Sequence, residues 1–330
     1  MTTILEPGSV PAAEPEAPAP LGKAIEGRSP GRIALRRLKK DKVAMAGGVT
    51  VVLLILMAVF APQLCSLTGN DPYTTHTDLI DPNLQIPSGG FGGMSSRHLL
   101  GVDVPTGRDL FARVVYGART SLGIAGLATV IAIAIGVGLG MVAGYFGGLI
   151  DSVISRTMDV MLAFPLFLFA ISLSGVLGYS SFGLTGNVLR IVVLIVIIGF
   201  FSWPYIGRIV RGQTLVLRER EFVDAARALG ATPARIILRE ILPNLTGPIL
   251  VYATLLIPSN ILFEASLSYL GVGIRSPMPS WGEMVNEAIA LYQVDPEFLI
   301  VPGSAIFLTV LAFNLLGDGL RDAFDPKAGR

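Results

Sequence analysis

The chain has 330 residues, of which 52% are hydrophobic and only 15% are charged, with a formal net charge of +1. Soluble domains carry about 25% charged residues, so this composition excludes an ordinary soluble protein, and the small net charge gives no indication of nucleic-acid binding. A single cysteine, Cys65, excludes an internal disulfide and a cysteine-based metal cluster.

The first 42 residues form two segments of different composition. Residues 1–22 are rich in Pro, Ala and Glu and predict a disordered head. Residues 23–42 carry eight Lys and Arg residues. Because basic residues that flank a span stay in the cytoplasm, we expect a basic cytoplasmic segment here. The first transmembrane helix, 43–65, then runs outward.

Six apolar blocks follow, at roughly 43–63, 120–146, 154–178, 188–210, 246–271 and 299–317. Blocks of about 20 apolar residues cross a hydrocarbon core about 30 Å thick. The sequence therefore predicts an all-α integral membrane protein with six transmembrane helices and with its N- and C-termini in the cytoplasm. We divide it into an extracytoplasmic loop at 66–118, a core of five further transmembrane helices at 119–321, and a cytoplasmic tail at 322–330.

The extracytoplasmic loop is rich in Pro, Gly, Asp and Ser and predicts irregular structure. Near its end Leu110, Phe111, Val114 and Val115 have helical spacing. This pattern predicts a short amphipathic extracytoplasmic helix before the second span.

Two patterns inside the spans concern packing. Gly136, Gly140, Gly144 and Gly148 are four residues apart, which predicts a smooth face where another helix approaches closely. Pro165 and Pro204 interrupt spans and predict bends.

A charged stretch between two apolar blocks predicts a helical hairpin at about 213–245. The loop 211–245 carries six arginines, which places it in the cytoplasm. Gly230 is at the position of a C-cap glycine, and Thr232 with Pro233 is typical of a helix start. We expect Phe222, Ala225, Ala226 and Leu229 to share one face of the first helix, and the second helix to stop before Pro243.

Small residues at the tip of the first helix, namely Ala225, Ala226 and Gly230, favour insertion into a groove of a partner. The surrounding charges of Glu221, Asp224 and Arg227 would then set the register. The alternative is that the hairpin is an ordinary cytoplasmic loop, and this pattern by itself does not decide between them.

Polar residues in and near the fifth block are candidates for the transport path. Glu264 lies among apolar neighbours, and Asn260 and Ser259 are close in sequence. An ionisable group at membrane depth is often functional, so we predict path-lining or gating for these three residues. The alternative for Glu264 is a structural hydrogen bond. The two histidines, His76 and His98, lack a third ligand nearby, so no metal site is expected.

The hairpin sequence resembles the signature loop of permease subunits of binding-protein-dependent ABC importers, in the order Asp224-Ala225-Ala226, Gly230 and Leu242-Pro243. Asp224 replaces the commoner Glu, and Glu240 stands where many members have an apolar residue. Segments 98–122, 264–282 and 314–326 resemble the C-type permease of the dipeptide, oligopeptide and nickel subfamily. The resemblance covers roughly 30–330.

The resemblance implies the following partners in a bacterial plasma membrane: a second homologous permease, one or two cytoplasmic ABC ATPases, an extracytoplasmic substrate-binding protein and the lipid bilayer. It also implies that the ATPase contacts are Glu221, Asp224, Ala225, Ala226, Arg227 and Gly230. Contacts with the binding protein are expected at Asp103, Arg108 and Trp281, although Trp281 also suits an interfacial anchor.

The sequence has no Gly-x-x-x-x-Gly-Lys-Ser/Thr motif, so we expect no enzymatic activity and no bound cofactor, with ATP and Mg on the partner ATPases. Dipeptides, oligopeptides, glutathione-like peptides and nickel chelates remain open as substrates. A secondary transporter is the rival class. It would need charged or broken spans for ion coupling, and it has no need of a cytoplasmic hairpin, so the hairpin disfavours it. An intramembrane metalloenzyme is disfavoured because the sequence has no His-Glu-x-x-His motif.

Overall fold

The computed structural model describes residues 30–324. The predicted head at 1–22 lies outside the described residues, as do 23–29 of the basic segment and 325–330 of the tail. The helices are α1 Pro30–Leu38, α2 Lys42–Val59, α3 Ala61–Thr68, α4 Leu110–Phe146, α5 Gly148–Ala163, α6 Leu166–Leu177, α7 Gly186–Leu217, α8 Glu221–Ala228, α9 Pro233–Arg235, α10 Leu242–Tyr269, α11 Trp281–Ala288 and α12 Pro296–Phe324.

Five of the described helical segments are long and apolar enough to cross a membrane: α2, α4, α7, the segment 233–269 and α12. The third predicted span instead consists of α5 and α6, which are bent by 78° relative to each other. Pro165 lies at the break, where its missing N–H and its ring interrupt the helix. The six predicted spans therefore correspond to five long helical segments, or to six spans if the bent pair counts as one.

The short amphipathic helix predicted before the second span does not exist as a separate element. Leu110, Val114 and Val115 belong to the first turns of α4, which runs for 37 residues. Asp109 caps this helix by accepting a hydrogen bond from the Ala112 N–H at 2.7 Å. The apolar side chains are buried against Met284 of α11 and other residues of the chain, so they do not lie on a lipid surface.

Two smaller elements also depart from the prediction. Strands β1, Ser180–Ser181, and β2, Leu184–Thr185, pair antiparallel between α6 and α7, so the described chain is not purely helical. The stretch between α10 and α12 contains α11, which is capped by the Ser280 hydroxyl. The stretch 69–109 is irregular, as expected, with short 3₁₀ turns at Thr77–Leu79 and Phe91–Gly93, whereas the first residues of the predicted loop belong to α3.

Helices α4 and α7 approach closely along the predicted glycine face. A Cβ atom added at Gly136, Gly140 or Gly144 would lie 2.7 Å from a backbone oxygen of α7 in each case. The fourth glycine differs from the expectation, because Gly148 begins α5 and has nothing within 4 Å of its Cβ position. Pro204 lies inside a continuous α7, so it does not divide that span.

The second helix of the predicted hairpin does not stop before Pro243. A π-helical segment, Ile236–Ile241, joins α9 to α10, and the N–H of Leu242 donates to the carbonyl of Ile237, five residues back. Proline in the first turn of a helix loses no hydrogen bond, so Pro243 is tolerated directly after this wide turn. The result is one helical segment from 233 to 269.

Candidate functional site

Helix α8 has one buried face and one exposed face. Val223 is fully buried and Ala226 is partly buried against the core formed by α4, α7 and the π segment. Phe222, Ala225 and Leu229 point away from the core, and the Leu229 side chain is 88% exposed. We call these three residues the exposed face of α8. The predicted common face of four residues is corrected, since Ala226 packs inward.

The cap at Gly230 and the helix start at Thr232 are as predicted. Gly230 has φ +77°, its N–H donates to the Arg227 carbonyl at 2.9 Å, and the Ala231 N–H donates to the Ala226 carbonyl at 3.0 Å. This pair of bonds is the Schellman arrangement, which satisfies the last carbonyls of a helix. The Thr232 hydroxyl accepts from the Arg235 N–H at 3.4 Å and begins the next helix. The turn between the two helices is thus geometrically fixed.

Charged residues fix α8 to the end of α4. Arg227 pairs with Asp224 at 2.9 Å, and its guanidinium lies 5.8 Å from the centre of the Tyr145 ring. A hydrogen bond with Tyr145 is the main cause that raises the pKa of Arg227 above its ordinary value. Arg218 donates to the Gly144 carbonyl at 3.0 Å, at the end of α4. Asp224 therefore pairs within α8, and Glu221 stands exposed at the helix start.

The helix that leaves this hairpin also lines an open cavity of about 620 Å³, which we call the central cavity. Its wall comes from α5, α6, α7 and α10. Aromatic side chains on this wall are Phe164, Phe167, Phe201, Tyr205, Tyr252 and Phe263, and the polar side chains are Ser202, Ser259 and Asn260. Among the described residues that line it, none is charged. Such a wall suits solutes that pass without a fixed ionic partner.

Of the three predicted path residues, two reach this cavity. Asn260 donates to the Thr129 hydroxyl at 2.8 Å and accepts from Ser202 at 3.3 Å, which joins α10 to α4 and α7. Ser259 is exposed on the cavity wall.

Glu264 is not on that wall. It is fully buried, and its carboxylate accepts hydrogen bonds from Ser121 at 2.9 Å and Ser268 at 2.8 Å. These bonds satisfy the carboxylate inside the subunit, so the structure matches the structural alternative for Glu264.

The residues predicted to contact a binding protein are buried within the chain. Asp103 and Trp281 are 0% exposed and Arg108 is 5% exposed. Trp281 donates from Nε1 to the Val114 carbonyl at 3.0 Å, so it is a packing residue and not an interfacial anchor. In this conformation the three side chains make contacts within the chain and hold the outer region together.

A buried ion network surrounds Asp103 and was not predicted from the sequence. Arg108 pairs with Asp103 at 2.7 Å and with Glu287 at 3.0 Å. Arg113 contacts Asp103, Glu283 at 2.9 Å and Glu287 at 2.6 Å. The only local signal is the i, i+4 spacing of Glu283 and Glu287, because their partners lie about 170 residues earlier in the chain.

The two glutamates of this network titrate in opposite directions. Burial raises the pKa of Glu283 to about 9, with a hydrogen bond to Glu287 adding to the shift. Burial by itself would raise the pKa of Glu287. The positive charge of Arg113 is the largest of the effects that outweigh burial and lower this pKa to about 2. We assign the shared proton to Glu283, because Glu287 contacts both arginines and Glu283 contacts only Arg113. With that proton the two positive charges balance Asp103 and Glu287.

The two histidines lie close together, with ring centres 5.0 Å apart. His98 Nδ1 is 2.8 Å from the Asp109 carboxylate. Within residues 30–324, no group of three or more His, Cys, Asp and Glu side chains is arranged to hold a metal ion.

Comparison with known proteins gives consistent matches over most of the chain. Residues 136–330 match the family described as "Binding-protein-dependent transport system inner membrane component". Residues 29–87 match the family described as "N-terminal TM domain of oligopeptide transport permease C".

Two curated relatives and one solved structure illustrate the similarity. The dipeptide transport system permease protein DppC of Alkalihalophilus pseudofirmus is 42% identical over 314 residues, which cover 95% of each chain. The glutathione transport system permease protein GsiD of Escherichia coli O6:K15:H31 is 42% identical over 308 residues, 93% of this chain and 94% of the relative. An inward-facing structure of the MetNI methionine ABC transporter matches with a TM-score of 0.50 and 18% identity, over 64% of this chain and 96% of the other, and so supports the fold alone.

Proposed function

This chain belongs to the family of binding-protein-dependent transport system inner membrane components, and on that premise we propose that it conducts peptides into the cell as one subunit of an ATP-driven importer. It is a multi-pass inner membrane permease of the ABC importer class. The relatives named for dipeptide and glutathione transport support a small peptide as the substrate.

One observation carries the mechanism: a single helical segment, 233–269, begins beside α8 and ends beyond the central cavity. A helix rises 1.5 Å per residue, so this segment is about 55 Å long. Tyr252, Asn260 and Phe263 on it line the cavity. A displacement of the hairpin would therefore move the cavity wall directly.

We assign the contact with the ATPase to the exposed face of α8. The buried Val223 side chain and the contact of Arg227 with Tyr145 hold α8 on the rest of the chain. A push on that face is therefore passed on to the spans instead of being absorbed by the loop. Closure of the ATPase pair around ATP and Mg would bias the permease between two arrangements, as a ligand-driven switch requires. A second, homologous permease would complete the path, and a separate binding protein would deliver the peptide.

Replacement of Gly230 tests this proposal. A Cβ at Gly230 meets nothing within 4 Å, so a larger residue disturbs no contact inside the chain. The left-handed backbone costs an ordinary side chain about 1 kcal/mol, and Asn tolerates it best. We expect Gly230→Glu to abolish ATP-dependent peptide uptake in cells while the amount of protein in the membrane stays normal.

Gly230→Asn is the matched control and is expected to keep most of the uptake. Ala226 is a poorer site for this test, because it is partly buried and a charge there would also disturb packing. Normal uptake by a well-inserted Gly230→Glu protein would refute the coupling role of the hairpin.

A further inference from the structure

A second cavity of about 490 Å³ lies between the end of α6, the start of α7 and the loop after α10. Two arginines line it, Arg190 on α7 and Arg275 in the loop, together with Ser174 and Tyr179. The charge distribution of the loops places this end of the helices on the outer side of the membrane. We call it the arginine cavity.

Neither guanidinium is neutralised within the described chain. Arg190 donates from Nη1 to the carbonyls of Val272 and Gly273, both at 3.0 Å, and Arg275 donates to the carbonyl of Gly271 at 3.2 Å and 3.3 Å. Among residues 30–324, no Asp or Glu forms an ion pair with either side chain. Within residues 30–324, Nε and Nη2 of Arg190 and Nη1 of Arg275 have no hydrogen-bond acceptor and remain able to donate.

Both guanidiniums line this one cavity. Repulsion between like charges facing one partly buried space is relieved by an anion between them. The planar guanidinium fork matches the two oxygens of a carboxylate, which it binds with two parallel hydrogen bonds. The free donors of Arg190 and Arg275 are therefore suited to one carboxylate ligand.

The arginine cavity continues the wall of the central cavity. On α6, Phe167 lines the central cavity and Ile171, one turn further, lines the arginine cavity. On α10 the corresponding residues are Phe263 and Leu270, about 10 Å apart along the helix. A solute that enters from the outer side would meet the arginines before it meets the uncharged aromatic wall.

We propose that Arg190 and Arg275 form a carboxylate-binding site at the outer entrance of the path, which receives the C-terminal carboxylate of the incoming peptide. This inference rests on the proposed function, since peptide cargo supplies the carboxylate. The site draws the charged end of the peptide away from its binding protein, and the uncharged central cavity then offers no competing ion pair. Release inward follows when the path changes its arrangement.

The test compares a peptide acid with its amide. The complete importer with its binding protein is reconstituted in vesicles of phosphatidylcholine and phosphatidylglycerol, and ATP-dependent uptake of labelled alanylalanine and of alanylalanine amide is measured. Arg190→Gln and Arg275→Gln are each expected to lower uptake of the acid roughly three- to tenfold, while uptake of the amide stays within about twofold. Arg275→Lys keeps the charge and is expected to retain most of the acid uptake.

Arg97→Gln is the matched control, because Arg97 is an exposed arginine of the outer loop that does not line the cavity. Equal losses for acid and amide, or no loss at all in either Gln variant, would overturn the proposal. An effect that disappears in vesicles of phosphatidylcholine alone would assign the site to lipid headgroups and would overturn it too. If the wild-type importer takes up neither peptide, the proposed function itself fails. If the wild type takes up peptide but the Gln variants discriminate between acid and amide as the wild type does, only the carboxylate site fails.

Discussion

Replacing Gly140 by Ala tests the close contact between α4 and α7, which holds the cavity helices in place. A Cβ at Gly140 would lie 2.7 Å from the Gly207 carbonyl oxygen and 3.0 Å from the Val210 Cβ. A backbone oxygen cannot rotate away as a flexible side chain does, so the two helices would have to separate. Gly138 lies on the same helix, and a Cβ there meets nothing within 4 Å.

Two opposing contributions set the change in the free energy of unfolding. Adding a methyl group to a tightly packed contact costs about 1–3 kcal/mol. Replacing Gly by Ala inside a helix gains up to about 1 kcal/mol in helix propensity, and this gain is common to both positions. Gly138→Ala is therefore expected to be neutral or slightly stabilising, and Gly140→Ala should be less stable than Gly138→Ala by about 1–3 kcal/mol.

The assay is thermal unfolding of the purified protein in detergent, with both variants measured beside the wild type. The expected order of Tm is Gly138→Ala at or above the wild type, with Gly140→Ala below it. Equal Tm values for the two variants would refute the packing argument, because only the contact with α7 distinguishes them.

Three further predictions concern the buried polar groups. Glu287→Gln should lower the free energy of unfolding by about 3 kcal/mol, because it leaves buried arginine charge unpaired. Glu283→Gln resembles the protonated acid and should cause no such loss; a larger loss for Glu283→Gln than for Glu287→Gln would reverse the proton assignment. The pKa of Glu283 is about 9 in the folded protein against an ordinary 4.5, so the free energy of unfolding should fall as pH rises from about 4.5 to about 9. Tm should therefore decrease with pH over this range in the wild type, and this decrease should be absent in Glu283→Gln. Asn260→Leu removes the acceptor of the Ser202 hydroxyl and the amide donor to the Thr129 hydroxyl, and it should cost about 1–3 kcal/mol in the same unfolding assay. The exposed Ser259→Ala should be neutral, and equal effects of the two variants would contradict the network.

Local patterns in the sequence predicted the local structure of the hairpin. Gly230 and Thr232 cap the helices on either side of the turn as expected, because capping depends on residues only a few positions apart. The glycine spacing likewise predicted the contact of α4 at Gly136, Gly140 and Gly144.

Features that depend on distant residues could not be predicted in the same way. The inward direction of Ala226 is set by the core that α8 meets, not by α8 itself. The burial of Asp103, Arg108 and Trp281 depends on α11 and α4, which are far apart in sequence. The passage of the helix through Pro243 depends on the π segment before it, for which the sequence carries no clear signal.

A cross-link to the ATPase shows whether the exposed face of α8 contacts that subunit. Ala225→Cys is combined with a bifunctional maleimide in the assembled importer, and products are identified by mass spectrometry. The wild-type chain supplies the background because its single cysteine, Cys65, is only 3% exposed. Leu84→Cys, at an outer-loop position that is 67% exposed, is the control. Cross-linking of Ala225→Cys but not of Leu84→Cys to the ATPase subunit is the predicted result, and no ATPase product at Ala225→Cys would contradict the account.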